Sequence, residues 1–184
     1  MLKKVNSFLL ARIYRDAFCK QSGATLPIRY IKHSQSYLLL DKKNNAIGGF
    51  IIAPSHLSRC EEELPETTNG TIARARLGLF NPFSELNGYF ILVKSKGWIL
   101  VSFWFILVLL SRSKYFVYAY ENTNKHLKKY YSVAKPIVIY DGLVNNLEGM
   151  TGEHYERIEM ISKWGFLKLY SNRLIKRIRK NLWN

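Results

Sequence analysis

Cysteine is scarce: Cys19 and Cys60 are the only two in 184 residues. Two thiols make no disulfide framework and stand at no zinc-ligand spacing, which suits a reducing, cytoplasmic setting. The four histidines, His33, His56, His126 and His154, show no metal spacing either. Long apolar runs are also missing. Trp98–Leu110, broken only by Ser102, has thirteen residues; at ~1.5 Å each they reach about 20 Å, short of the ~30 Å hydrocarbon layer. Extending the run back to Tyr89 would bury Lys94 and Lys96 in lipid, which is costly. No secretory leader is expected, because Arg12, Arg15 and Asp16 interrupt the apolar segment that should follow the basic start. Internal repeats and low-complexity stretches are absent. Acids are absent after Glu159, where seven lysines and arginines follow.

What is present is positive charge. A formal net charge of +15 suits a polyanionic partner: RNA, an anionic membrane surface, or an acidic carrier protein. A bias that merely aids solubility accounts for the same number. Apolar content of 48% and aromatic content of 14% argue against disorder. The length fits one domain spanning residues 1–184 with a substantial core.

The chain is organised around Leu86–Gly142. Leu86–Val93 is an apolar run of strand length, and Lys94-Ser95-Lys96-Gly97 interrupts it before the helical Trp98–Leu110. Tyr115–Tyr120 is rich in β-formers, Asn124–Tyr131 is helical in composition, and Pro136–Tyr140 returns to β. This βαβαβ order with uniformly apolar strands predicts a sheet buried on both faces, with at least one parallel pair. The turn opening the first helix of the unit is suited to phosphate, since helix N-termini carry free N–H groups and partial positive charge.

Before this unit, Leu2–Phe18 carries apolar residues at three- and four-residue spacing and predicts an amphipathic helix ending near Ser22-Gly23. Ile28–Lys32 reads as a short strand. Tyr37–Leu40 and Ala46–Ile52 flank a polar turn and predict a hairpin, in which Gly48-Gly49 marks a bulge or a close backbone approach. Ser55–Gly70 reads as a short helix and a loop, and Thr71–Phe80 as a strand with Arg74 and Arg76 on one face. After the unit, Leu143–Gly152 is a loop. His154–Ile161 reads as a strand antiparallel to Ile137–Tyr140, and residues 165–184 as a basic amphipathic helix. The apolar Trp98–Leu110 helix should be buried all round. Its second cover could be the first helix, the basic tail, a second subunit in a homodimer, or a long acyl chain.

This order resembles the GNAT superfamily of N-acyltransferases: central strand, pyrophosphate loop, helix, strand, short helix and terminal hairpin. Lys94-Ser95-Lys96-Gly97-Trp98-Ile99 stands where the family has a basic residue or Gln, two residues, Gly, one residue, and Gly or Ala. The second small residue is missing. Asn124, Leu127 and Tyr131 match a second family spacing, but Ala134-Lys135-Pro136 replaces the Gly-Phe that usually follows the Tyr. The family's first strand is not evident. The resemblance covers roughly two-thirds of the chain, and its motifs acquire weight from their order.

The resemblance implies a mixed α/β (α+β) fold with a mostly antiparallel central sheet flanked by helices, and residues 86–142 as the donor-binding core. It implies no permanently bound cofactor. Acyl-CoA, or the acyl-phosphopantetheine arm of an acidic acyl carrier protein, would serve as donor. Val93, Lys94, Ser95, Lys96, Gly97, Trp98, Ile99 and Asn124 would bind it, and a peptide, protein or small-molecule amine would accept the acyl group. Tyr131 would protonate the leaving thiolate, with Tyr130 one register away. Glu85 and Glu121 are the carboxylates nearest the central strands that could act as base, and His56 and His126 the imidazoles. Blander readings stand beside these: solvated turn lysines, a packing tyrosine, an inert Cys60. A Cys60–His56 nucleophile, with the pair one helical turn apart, is a further option. The rival to an enzyme is a basic protein that grips RNA or an anionic membrane through the tail, Arg74, Arg76, Lys128 and Lys129.

Overall fold

Ser7 separates two elements that the apolar spacing runs together. In the computed structural model, which describes residues 1–150 and 152–182 and side chains as far as Ile175, Ser7 Oγ accepts the Leu10 N–H at 3.2 Å. That cap starts helix α1 at Phe8–Ser22, and Gly23 ends it with φ 75°. Leu2–Lys4 is instead a strand, β1, paired antiparallel with β2 (Gln35–Leu40). The first strand is therefore present, and the chain does not open with a helix. Three residues are too few to show a period of two against a helical background.

The hairpin of β2 and β3 (Ala46–Pro54) forms as expected. Asp41 closes its turn by accepting the backbone N–H groups of Lys43 and Asn45 at 2.7 and 2.9 Å. Two other short segments differ from expectation. Ile28–His33 is helix α2, with Tyr30 and Ile31 buried, and its first residue follows Pro27, which presets φ. Thr68–Gly78 is helix α4, capped by Thr67, whose Oγ1 accepts the Gly70 N–H. Ala73 and Leu77, four apart, form its buried face, a spacing that strand alternation partly mimics. Arg74 is spent holding the helix start through the Leu64 and Pro65 carbonyls and Glu66. Between them lies the single-turn helix α3, Arg59–Glu62.

The central unit follows the expected order: β4 (Ser84–Ile91), α5 (Gly97–Leu110), β5 (Tyr115–Glu121), α6 (Lys125–Ser132) and β6 (Ile137–Val144). Strand β7 (His154–Ser162) and helix α7 (Lys163–Leu182) complete the chain. Helix α7 starts at Lys163, two residues before the expected basic helix, and residues 183–184 lie outside the described residues. The seven strands order as β1-β2-β3-β4-β5-β7-β6. Every neighbouring pair is antiparallel except β4–β5. The result is the mixed, mostly antiparallel α/β sheet expected from the sequence. Helices α5 and α7 pack on one face, while α1 to α4 cover the other.

The parallel pair is short. Only Ser84 with Phe116 and Glu85 with Val117 are in register, and beyond them the strands part. Strand β4 also bulges at Gly88 (φ 61°), whose carbonyl accepts the buried Tyr14 hydroxyl. Helix α5 is not buried all round. Ile99, Phe103, Ile106 and Leu110 form an outward stripe, with Leu110 75% exposed. Its inner face meets α7, where the Tyr170 ring stacks on Phe105 at 3.8 Å and on Trp98 at 5.5 Å.

Close approach makes one glycine indispensable to this layering. A Cβ on Gly49 would sit 2.5 Å from the Phe90 ring, 2.7 Å from Tyr14 and 2.9 Å from the Tyr37 carbonyl. Gly49→Ala is expected to cost about 1–3 kcal/mol, as overpacking does. Urea unfolding checks it, and an unchanged midpoint would contradict the packing described.

Candidate functional site

Two cavities meet where β4 and β5 part. One, of about 350 Å³, lies under α5, α6 and α7; the other, of about 380 Å³, lies at the end of α1 beside α3. Phe18, Leu86, Asn87 and Ala119 line both. The gap between the strands is thus open from both faces of the sheet. Where the ladder ends, side chains take backbone groups of β4: Asn87 Oδ1 accepts the Gly88 N–H, and the Tyr14 hydroxyl donates to the Gly88 carbonyl.

The first cavity is mostly aromatic. Trp104 and Phe105 of α5, Tyr118 of β5, Tyr130 and Tyr131 of α6, and Phe166 and Tyr170 of α7 line it. Tyr131 stacks on Tyr118 with ring centroids 4.1 Å apart and meets Tyr130 edge-on at 5.2 Å. Burial, then the neighbouring Tyr130, raises the Tyr131 hydroxyl above its ordinary pKa, so it keeps its proton. Tyr118 donates to Glu159 at 3.0 Å, and Arg157 bonds the other oxygen of that carboxylate at 2.6 Å. Arg173 of α7 stands at the cavity mouth, and a recess beside it adds His126, Lys129 and Asn172.

The sequence-derived candidates fall in several places. Tyr131 lines the aromatic cavity, while Glu121 lines the other one at the end of β5. Glu85 is fully buried and lines neither. Its carboxylate accepts Tyr30 (3.1 Å), Ser58 (2.9 Å), the Cys60 N–H (3.0 Å) and Asn87 (2.6 Å). Asn124 caps α6, its Oδ1 accepting the Leu127 N–H at 3.1 Å. Residues Lys94–Lys96 make a single 3-10 turn ahead of α5. Within that turn the Lys96 N–H donates to the Val93 carbonyl and the Gly97 N–H to that of Lys94. Two of the N–H groups expected to face a phosphate are therefore turned inward, and the exposed lysine side chains carry the charge there. Trp98 stacks on Tyr170, and Ile99 faces outward.

Cys60 and His56 form no nucleophilic pair. His56 sits exposed in a 3-10 turn, and Cys60 is buried, its thiol pushed up by burial and then by the Glu85, Glu63 and Glu156 carboxylates. Among the described residues no three His, Cys, Asp or Glu side chains are placed to hold a metal ion. No helix among them is long and apolar enough to cross a membrane.

The second cavity holds groups that spacing did not single out. Glu63, just after α3, and Glu156 of β7 line it together, with Arg59, Cys60, Glu121 and His154 around them. Glu63 is only 6% exposed, and its Oε2 has no hydrogen-bond partner among the described residues. Burial, then repulsion from Glu156 and Glu85, pushes Glu63 up to about 9. Burial also raises Glu156, opposed by His154. The acid run Glu61-Glu62-Glu63 was visible in the sequence. Only Glu63 of the three is buried, which no local pattern signals.

No protein-family model matches the chain, and no curated protein matches it by sequence. Solved structures do. FeeM, an N-acyl amino acid synthase from uncultured soil microbes, superposes with a TM-score of 0.61 at 10% identity, over 90% of this chain and 97% of that one. Arabidopsis thaliana NAA60, in complex with a bisubstrate analogue, gives 0.57 at 8% identity over 88% and 97%. A GNAT-family protein from Desulfovibrio desulfuricans gives 0.51 at 10% identity over 89% and 98%. The chain has the GNAT fold.

The buried acid pair has a consequence for stability. Folded, Glu63 holds its proton to about pH 9; unfolded, it releases the proton near its ordinary 4.5. Folding therefore takes up a proton between these limits, and stability falls as pH rises through the window. Below pH 4.5 both states are protonated and the difference vanishes. Glu63→Gln should thus stabilise the protein by on the order of 2–4 kcal/mol more at pH 8 than at pH 4. Urea unfolding at the two pH values checks it, and an equal effect at both would contradict a buried Glu63 that keeps its proton.

Proposed function

We propose that this protein is an N-acyltransferase that moves an acyl group from a thioester, acyl-CoA or an acyl carrier protein's phosphopantetheine arm, to an amine. The observation that carries the reading is the β4–β5 gap, open to an aromatic cavity on one face and an acidic cavity on the other. A thioester lying in the gap presents its acyl chain to apolar walls and its carbonyl to the second cavity. The aromatic lining suits a fatty acyl chain, and burial of such a chain contributes about 0.8 kcal/mol per methylene. FeeM, whose fold this chain shares, is an N-acyl amino acid synthase, which supports acyl transfer to nitrogen.

A thioester is already activated, so the protein's work is positioning and proton traffic. The amine nitrogen attacks the carbonyl carbon; the C–N bond forms and the C–S bond breaks. One nitrogen proton passes to a carboxylate and on to solvent. The sulfur takes a proton from the Tyr131 hydroxyl, which solvent restores. Glu121 is the sequence-derived carboxylate that lines the acceptor side. Glu85, saturated by its donors, positions Asn87 at the lip of the gap. Lys94 and Lys96 attract the donor's phosphates from the Val93–Ile99 turn, and Arg173 adds charge at the cavity mouth.

A second reading concerns where the chemistry happens. The stripe Ile99, Phe103, Ile106 and Leu110 is apolar and exposed, with Lys94 and Lys96 before it and Arg112 and Lys114 after it. An apolar helix face framed by cations suits an anionic lipid surface, on which α5 would lie in plane.

Octanoyl-CoA should raise the melting temperature, and Lys96→Glu should weaken that shift. Tyr131→Phe should lower kcat by roughly 10²-fold with little change in the donor's KM, as expected for loss of a general acid. No shift with any acyl thioester, and no acyl transfer, would overturn the enzymatic reading. For the second reading, co-sedimentation with phosphatidylserine vesicles should fall with added salt and with Phe103→Glu. Equal binding to neutral vesicles, or none, would overturn it.

A further inference from the structure

Charge around the aromatic cavity is of one sign. Arg173 of α7 lines both that cavity and the recess beside it, of about 510 Å³, and so do Leu127 and Tyr130 of α6. The two spaces join at these three side chains. His126, Lys129 and Asn172 supply the rest of the polar wall of the recess. Among the described residues no carboxylate lines either space, and neither Arg173, Lys129 nor His126 forms an ion pair. Glu159, which Tyr118 reaches from the aromatic wall, is already held by Arg157. A cleft with charge of one sign over apolar walls concentrates ligands of the opposite sign.

The Val93–Ile99 turn, where the family resemblance implies the donor's phosphates, lines neither space. Helix α7 is fastened along α5 on that side. Tyr170 stacks on Trp98 and Phe105, and the Lys163 ammonium donates to the Leu109 and Ser111 carbonyls at 3.1 and 2.7 Å. The charged opening of the cavity therefore lies between α6 and α7, where Arg173 faces Lys129 and His126 across the recess.

We propose that this recess is an anion subsite whose ligand is a single apolar chain ending in a carboxylate or phosphate: the chain lies against the rings, and Arg173, Lys129 and His126 hold the anionic end. Arg173 belongs to both spaces, and its guanidinium can grip two oxygens of one head group. Asn172 and the Tyr130 hydroxyl offer further donors. A cationic head group would meet the same side chains with like charge, and a neutral one would leave them uncompensated. Linking this ligand to the acyl donor rests on the acyltransferase reading; the subsite itself does not. On that reading the anion is the phosphate of the pantetheine arm or a carboxylate at the end of the acyl chain. Lys94 and Lys96 then act at longer range, drawing a polyanion toward the opening.

Calorimetry of the whole chain tests the subsite with decanoate, decyl phosphate and decylamine, each below its micelle-forming concentration. At pH 7 both anions should bind at least about tenfold more tightly than decylamine. Affinity should rise about fourfold per methylene from hexanoate to decanoate. Arg173→Glu, at an exposed position, should invert the order so that decylamine binds best, a result that unfolding cannot produce. Equal binding of the three, an anion preference that survives Arg173→Glu, or no binding would each overturn the proposal. The donor arm compares S-octanoyl-pantetheine with its phosphate ester and with S-suberyl-pantetheine, whose acyl chain ends in a carboxylate. The added anion that tightens binding at least about tenfold, and loses that gain in Arg173→Glu, is the donor's head group. A gain that Arg173→Glu leaves intact would overturn the assignment. An inverted head-group order with no binding of any thioester would leave the subsite standing and sink the enzymatic reading. Acyl transfer with the order unchanged in Arg173→Glu would do the reverse.

Discussion

Glu85 stands at the last paired position before β4 and β5 separate, and its buried carboxylate ties together the elements that meet there. Tyr30 from α2, Ser58 and the Cys60 N–H from the start of α3, and Asn87 further along β4 all donate to it. A buried carboxylate is tolerated only when its oxygens are satisfied in this way. The same contacts fix the first turn of α3, and hence where Arg59 and Glu63 stand, and they hold Asn87 at the lip of the gap. The site on both faces depends on this one anchor.

The gap divides two solvents of opposite character. On one face, rings from β5, α5, α6 and α7 pack with centroids 4–6 Å apart and hold tyrosine hydroxyls in their protonated form. On the other, carboxylates crowd together, and burial, with repulsion between them added, raises their affinity for a proton. Such a pair costs stability near neutral pH, since the unfolded chain would rather be ionised.

Helix α7 shapes the aromatic side of the gap. Its Tyr170 is stacked on Phe105 and Trp98, and Phe166 and Leu169 close the aromatic cavity from above. The consequence reaches α5, whose inner half is covered by the sheet and α7 while its outer half meets solvent. An apolar helix therefore ends up with a two-sided environment that its uniform composition does not announce.

Much of the architecture follows from local chemistry. The apolar strands of the central unit, the polar hairpin turn at Asp41, the Asn124 cap and the Gly23 terminus each depend on residues within a few positions of one another. Their order along the chain sufficed to indicate the GNAT arrangement. Short segments escaped, because a three-residue strand or six residues of Ile28–His33 take their form from what they pack against. Tertiary structure alone decided the rest. It brought Glu63 beside Glu156 from distant parts of the chain, buried Glu85 beyond the reach of either cavity, and turned two N–H groups of the Lys94–Gly97 turn inward. Periodicity and turn chemistry operate within one element, whereas a buried cluster of carboxylates or a gap between strands exists only where separate elements converge.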